Sequence, residues 1–552
     1  MAPQKKKTSA KKKATKSGTT AKKSGKSRTA RRAGRPAARK IRSVLIPNRG
    51  EIALRIVRTL RAMGIRSVVA HSEADAESDA VRLADDSVLL GPAAPSDSYL
   101  SVDRIVDAAQ QAGVDAVHPG YGFLSERETL ASTLEDNGLI FIGPSSANIR
   151  LMGDKIAARK ALLGVGLDVV PGEKKPVEGV EALKHSASTI GYPLMLKAAA
   201  GGGGKGIRIV REEAQLESAF RLARSEAENA FNDPTLFVER YLEGARHVEV
   251  QIVGDGKGGA RIFPERDCST QRRHQKLLEE TPCPALDDTQ RERLLNMAFE
   301  AIRVSKYRGA GTLEFLLDPT QDSLYFLEMN TRLQVEHPIT ELVCGVDLVA
   351  EQIAVAEGKT FAGKTLDAVY TQARGAAVEF RVNAEDPFED FRPCTGTVDF
   401  IRLPGGPGIR VDTALRNGLE VTPYYDSLLA KVIAWGPNRE SALNRLRVAC
   451  GEMRIRGVAT TLPLALALLD EPAILAGRNH CQSLEERLAD TDFLGTKADP
   501  ELARALAVAA AYLQSEGSSP SARRAIISST SGGDISPWAR LGRSLGLKGI
   551  QR

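Results

Sequence analysis

Two stretches of the 552-residue chain concentrate side chains able to bind ions and move protons. In LYFLEMNTRLQVEHP, strand alternation puts Glu328, Asn330 and Arg332 on one face and Leu327 and Met329 on the other. The neighbouring strand-like stretch GAGTLEFLLD carries Glu314. Two carboxylates and an amide oxygen are hard ligands suited to Mg²⁺, which usually joins such groups to nucleotide phosphates. Zinc is not expected, because EHPIT is not HExxH. The stretch ERDCSTQRRHQK gathers Arg272, Arg273, His274 and Lys276. It lacks aromatic residues for base stacking and belongs to an acidic body, so its basic groups read as a lining for anionic substrates.

A third stretch, AAAGGGGKGI from Ala198 to Ile207, looks like a phosphate loop. It fails as a Walker A motif: Gly206 follows Gly204-Lys205 where Ser or Thr is needed, and Ala199 takes the place of the first glycine. Gly201, Gly203 and Gly206 satisfy GxGxxG formally, but that loop must open a helix. Here the run lies between two strand-like segments, YPLMLKA and IRIVR. The spacing predicts a hairpin flap whose backbone N–H groups can fold over phosphates. Lys197 and Lys205 flank it.

These groups need a scaffold. From Ile41, RSVLIPN reads as a strand, RGEIALRIVRTLRAMG as a helix with Ile52, Ile56, Leu60 and Met63 on its apolar face, and RSVVAHS as the next strand. Gly64 stops the helix. This βαβ opening predicts an open α/β domain running to FIGPS near residue 145. Its first turn, NRGE, has no dinucleotide fingerprint. A second region, about 150–375, holds the flap and the charged stretches. A third, about 376–488, has short strands and then a helix, ESALNRLRVACGEM. Past 489, DPELARALAVAAAYLQ reads as a helix opened by Asp499 and Pro500, and SEGSSPSARR as linker.

Composition agrees with this division. The length suits roughly three or four domains. No apolar run reaches the roughly 20 residues of a membrane helix. The net charge of +7 is carried by one end: residues 1–42 hold 17 Lys and Arg and no acid. The remainder has 59 basic against 69 acidic residues. That end has only Met1 as a large apolar residue, so it reads as a solvated arm able to touch nucleic acid or another polyanion through charge alone. Six cysteines without CxxC spacing point to a reducing, cytoplasmic setting and to no structural zinc.

Taken in order, NRGEIALRI, HPGYGFLSE, LMGDK, GGGGKG, RHVEVQI, ERDCSTQRRHQK, GAGTLEF, LEMNTRLQVEHP, VEFRVNAEDP and PYYDSLLAK resemble biotin carboxylases of the ATP-grasp superfamily, from about Ile41 to Leu488. The resemblance implies an α/β and α+β multidomain chain. Its expected parts are a disordered basic arm (1–40), an open α/β pre-ATP-grasp domain (41–150), an ATP-grasp domain (151–375) with a glycine-flap lid at about 170–241, a biotin carboxylase C-terminal domain (376–488), and a helical extension or linker (489–552). It implies MgATP-dependent activation of bicarbonate to carboxyphosphate, then carboxylation of biotin. By position, Lys155, Lys197, Gly202, Gly203, Gly204, Glu239, His247, Gln271 and His274 match the nucleotide site. Glu314 and Glu328, with Asn330 beside them, match the ligands for Mg²⁺ or Mn²⁺. Arg332, Gln334, Val335 and Glu336 match the bicarbonate site, Lys276 points into it, and Arg381 matches the group holding the ureido oxygen of biotin. These roles make chemical sense: Glu336 as the base on bicarbonate, Arg332 as a fork for a planar oxyanion, Arg381 as the cation for an enolate-like ureido.

Some positions depart from the pattern. Ala200 stands where some relatives have another glycine, Lys205 where some have Arg, and Arg240 where many have Lys; these changes should tune nucleotide binding. No MKM turn for biotin attachment is present, LMLKA being the nearest string. The resemblance therefore implies a separate biotin carboxyl carrier protein and separate carboxyltransferase subunits, as in an acetyl-CoA or other acyl-CoA carboxylase of fatty acid biosynthesis, with the chain a homodimer. Two other readings compete: a bicarbonate-activating ligase of the carbamoyl-phosphate synthetase kind, and a polyanion-binding protein driven by the arm. Arg381 and the 376–488 region favour the carboxylase over the first. The intact set Lys155, Lys197, Lys276, Glu314, Glu328, Glu336 and Arg381 argues against the second.

Overall fold

The computed structural model describes residues 40–495 and 508, apart from 154–156, 159–160, 162–165, 174, 200–206, 232, 321–322 and 364. The basic arm, Lys155, Gly202, Gly203, Gly204, Lys205 and nearly all of the expected C-terminal helix therefore lie outside the described residues. Contacts divide the chain into residues 1–40 and 41–552, and every element named below belongs to the second unit.

The chain opens with a five-stranded sheet. Strands Ser43–Ile46 (β1), Arg66–Ser72 (β2), Asp86–Gly91 (β3), Ala116–Val117 (β4) and Ile140–Phe141 (β5) run parallel in the order β3-β2-β1-β4-β5. The strand order reverses beside β1, so the loops after β1 and β4 form the crevice where ligands of open α/β sheets are received. Helix Gly50–Ala62 (α1) buries Ile52, Ala53, Ile56, Val57 and Leu60. Met63, expected on that face, instead caps the helix end and is 39% exposed, because the chain leaves the helix at Gly64 with φ +68°. A second stripe of α1 is polar and buried: Glu51, Arg55 and Thr59, at helical spacing. The NRGE turn is tied to a neighbouring loop. Its Asn48 Nδ2 donates to the carbonyls of Pro119 (2.7 Å) and Tyr121 (2.8 Å), fixing the HPGYG loop after β4. Gly120 is left-handed there, and a Cβ would meet Asn48 at 3.0 Å.

Strands Leu194–Ala198 (β6), Ile207–Val210 (β7) and Leu236–Arg240 (β8) form a small antiparallel sheet, order β7-β6-β8. Lys197 pairs with Ile207, so the glycine run does join two paired antiparallel strands. Helix Leu216–Phe231 (α2) covers this sheet through Leu216, Phe220 and Ala223.

The centre is an eight-stranded, wholly antiparallel sheet. It comprises Arg246–Asp255 (β9), Ala260–Arg272 (β10), Gln275–Thr281 (β11), Arg308–Asp318 (β12), Ser323–Asn330 (β13), Ala376–Asn383 (β14), Ile409–Thr413 (β15) and Leu428–Gly436 (β16). Their order is β13-β12-β9-β10-β11-β14-β16-β15. The sheet runs through residue 376 without a break, so the charged stretches and VEFRVNAEDP share one surface. Helix Asp288–Ser305 (α3), opened by a capping box between Asp287 and Gln290, buries Leu294, Ala298 and Ile302 against it. Helix His337–Cys344 (α4) follows the turn that carries Gln334 and Glu336, and helix Arg439–Glu452 (α5) packs Leu443 and Leu446 on the β14–β16 end. No helix among the described residues is long and apolar enough to cross a membrane.

Candidate active site

Cross-strand register builds the site. Glu328, Glu314, Glu249 and Arg266 stand directly opposite one another across β13, β12, β9 and β10. Facing carboxylates repel unless a cation is shared between them. Lys276 on β11 supplies it: Nζ lies 2.5 Å from Glu249, 3.0 Å from Glu314 and 2.8 Å from Glu336. Arg266, fully buried, clamps Glu249 from the other side at 2.6 Å and is itself held by Gln251 and Thr340.

Glu336 caps α4 and is fully buried. One of its oxygens meets Lys276, the other Arg381 Nη2 at 2.8 Å. Arg381 also donates through Nε to Glu279 at 2.5 Å. Burial alone would raise the Glu336 carboxyl, but Lys276, Arg381 and Arg266 outweigh it and hold Glu336 well below the usual carboxylate range. Glu279, where burial prevails over Arg381, is pushed up to about 7. Glu314 also falls below its ordinary range, with Lys276 and His247 overcoming burial. Lys276 rises well above the usual lysine range against the pull of burial, because Cys268 and three carboxylates surround it.

Arg332, expected on the face of β13, lies just past the strand end but reaches the same place. Its guanidinium donates to Asn330 Oδ1 (3.0 Å), Gln334 Oε1 (2.7 Å) and Glu126 Oε2 (2.7 Å). Gln334 Nε2 donates to Glu314 at 3.3 Å, and the Val335 carbonyl accepts from Lys431 at 3.0 Å. Glu314, Glu328 and Asn330 share one sheet face, an all-oxygen set that fits a hard divalent cation bound jointly with phosphate. Beside them, His247 Nε2 is buried without a hydrogen bond, 3.4 Å from Glu314 Oε2.

A second group sits on the small sheet. Lys197 of β6 is ion-paired with Glu239 of β8, which is nearly buried. Gln271, one residue before the end of β10, lies beside Cys481. His274 occupies the two-residue β10–β11 turn, where it and Arg273 both adopt left-handed backbone (φ 65° and 48°). Burial holds its imidazole below the usual histidine range against the pull of Glu485. The reading of ERDCSTQRRHQK as one anionic lining needs correction. Lys276 enters the site, but Arg272 stacks on Phe391 and, with Arg273, binds Asp390. Residues on either side of the hairpin tip point away from Lys276, because a strand alternates its faces.

Sequence reasoning missed Glu249, Arg266, Glu279, Glu126 and Lys431. Alternation would have supplied Glu249, two residues after His247 in RHVEVQI, and Arg266, which is its register partner. Glu126 and Lys431 arrive from distant loops and strands, and no local spacing marks them.

Comparison with known proteins gives this arrangement a family. Residues 40–149 match the family model "Biotin carboxylase, N-terminal domain", 154–364 "Carbamoyl-phosphate synthase L chain, ATP binding domain", and 379–486 "Biotin carboxylase C-terminal domain". Biotin carboxylase 1 of Bacillus subtilis is 45% identical over 445 residues, covering 81% of this chain and 98% of its own. The biotin carboxylase of Allochromatium vinosum is 46% identical over 449 residues, covering 81% and 99%. The crystal structure of the biotin carboxylase domain dimer of Hydrogenobacter thermophilus 2-oxoglutarate carboxylase, in complex with MgADP, ADP and bicarbonate, superposes with a TM-score of 0.77 at 42% identity. It covers 83% of this chain and all of that one. The central match alone carries the name of carbamoyl-phosphate synthase, but both flanking matches are biotin carboxylase domains, and the chain belongs to the biotin carboxylase family.

Proposed function

We propose that the chain catalyses the first half of a biotin-dependent carboxylation: ATP phosphorylates bicarbonate, and the carboxyl group passes to biotin on a separate carrier protein. The observation that carries this reading is the buried Glu336 carboxylate held between Lys276 and Arg381. A base for bicarbonate and a cation for the ureido oxygen thus lie side by side. Arg332, braced by Glu126, offers its fork to the planar oxyanion. Gln334 and the Val335 backbone complete that end. Lys197 and Glu239, with His247, Gln271 and His274, face the nucleotide side; Lys155 and Gly202–Gly204 complete it by position. Glu314 and Glu328, beside Asn330, would hold a divalent cation, which supplies neutralising charge on the phosphates. The glycine flap between β6 and β7 closes over the nucleotide and keeps water from a labile acyl phosphate.

Free biotin and bicarbonate together should stimulate MgATP hydrolysis by the purified protein. Stimulation by ammonia in place of biotin would instead favour the carbamoyl-phosphate synthetase reading.

The second half-reaction belongs to a partner carboxyltransferase, which sets the acceptor. The relatives include pyruvate and 2-oxoglutarate carboxylase subunits, so the acetyl-CoA assignment, and with it a place in fatty acid synthesis, needs that partner identified. A biotin carboxyl carrier protein is the first partner, a second copy of the chain another, and the cytoplasm the setting. The basic arm is a separate polyanion-binding appendage. Since every residue assigned to substrate, nucleotide or cation lies beyond position 154, deleting residues 1–40 should leave kcat within about twofold while lowering salt-dependent retention on nucleic acid. A large loss of kcat on deletion would place the arm in the enzyme itself.

A further inference from the structure

The turn that presents Gln334 and Glu336 has only long backbone hydrogen bonds, His337 N–H to the Gln334 carbonyl at 3.4 Å and Ile339 N–H to the Glu336 carbonyl at 3.3 Å, and two of its carbonyls are also held by side chains. The Gln334 carbonyl is bound by His337 Nδ1 at 2.7 Å, and the Val335 carbonyl accepts from Lys431 Nζ at 3.0 Å. Lys431 lies on β16, directly opposite Arg381 of β14 and Asp412 of β15. Its side chain is fully buried. An ammonium taken out of water is costly unless its three donors are met. Here three separate parts of the chain compensate it: a hydrogen bond to the Val335 carbonyl at 3.0 Å, and ion pairs with Glu51 Oε1 of α1 at 3.1 Å and Asp412 Oδ2 at 3.7 Å.

Those partners are themselves fixed. Asp412 receives both arms of Arg410, at 2.8 and 2.7 Å. Glu51 accepts from the Tyr121 hydroxyl, and Tyr121 belongs to the loop that Asn48 pins at the crevice of the parallel sheet. The ammonium is therefore a fixed point where the N-terminal sheet domain, the β15–β16 hairpin and the turn meet.

We infer that Lys431 is a positioning residue for the bicarbonate-binding turn: by holding the Val335 carbonyl it sets the peptide plane that aims Glu336 between Lys276 and Arg381. This rests on the proposed role of Glu336. Lys431 touches no reacting atom; it acts through the Val335–Glu336 peptide. Loss of its bond frees that peptide to rotate, which displaces the Glu336 carboxylate while leaving the Lys197–Glu239 group on the small sheet untouched.

The test separates positioning from general support. Lys431→Met alone strands Glu51, so it is paired with Glu51→Gln; Asp412 keeps Arg410. The double variant should lose about 100-fold in kcat/KM for bicarbonate, the scale expected of a misplacement near 1 Å. KM for ATP should stay within about twofold, and MgATP should still raise Tm. Glu51→Gln alone, which keeps the Lys431–Val335 bond, should stay close to the parent. Unchanged bicarbonate kcat/KM in the double variant, or equal losses toward ATP and bicarbonate, would overturn the inference. If the double variant does not fold, Lys431→Arg is read by the same two ratios: a loss confined to bicarbonate supports positioning, and a balanced loss or none overturns it. Glu336→Gln separates the layers. If it keeps turnover, the parent reading fails; if it is inactive while the Lys431 variants match the parent, only the positioning inference fails.

Discussion

Glu336→Gln should lower bicarbonate-dependent MgATP turnover by roughly 100- to 10,000-fold, the range spanned by removal of a general base. MgATP should still bind and raise Tm. The fold should survive, because each cation around Glu336 has another anion: Lys276 keeps Glu249 and Glu314, and Arg381 keeps Glu279. Gln fills the same volume, and its amide oxygen can still accept from one of them. What it cannot do is take a proton from bicarbonate. Steady-state kinetics with bicarbonate varied, beside a thermal shift with MgATP, makes the check; parental turnover in this variant would remove Glu336 as the base.

The environment of Glu336 works, at first sight, against that role, since a carboxylate held well below its usual range is a weak base. The two groups responsible resolve this. In the proposed reaction, Lys276 and Arg381 are also the cations assigned to the anion and the ureido oxygen. If either turns toward a substrate, its hold on Glu336 should weaken and the carboxylate should become more basic. Base strength would then be delivered only in the loaded site, with substrate binding completing the proposed base.

Much of this is readable from the chain. The parallel βαβ opening, the hairpin around the glycine run and the Glu314–Glu328 pair all follow from short-range periodicity, and the structure shows β1, α1, β2, β6, β7, β12 and β13 where those patterns put them. Alternation alone places Glu328 and Asn330. What periodicity cannot supply is register between distant strands. Glu314 faces Glu249 only because β12 pairs with β9, and Arg381 reaches Glu279 only because β14 pairs with β11. Arg272 and Arg273 mislead for the same reason: their density in sequence says nothing about the hairpin tip that turns them toward Asp390. Met63 fits the helical period but falls past the helix end, where backbone stop signals override hydrophobic spacing.

Arg381→Gln should separate the two chemical steps. Carboxylation of biotin should fall about 100- to 1,000-fold, the cost of removing one donor to a developing oxyanion. ATP hydrolysis that depends on bicarbonate but not on biotin should persist, because Arg332, Lys276 and Glu336 remain. The pH dependence carries a second, independent signature. Arg381 is one of the cations that hold Glu336 below its ordinary range. Without it the folded-state value rises, so the ionised base is lost at a higher pH as the solution is acidified, and the acid limb of the rate profile moves toward neutrality. A desolvated guanidinium acting only as a structural tie to Glu279 would not separate the steps: both activities would fall together, whatever the acid limb does. Carboxybiotin formation and biotin-independent ATPase, each measured across pH 5–8 in parent and variant, therefore distinguish a cation that serves the ureido oxygen from one that only braces β14 against β11.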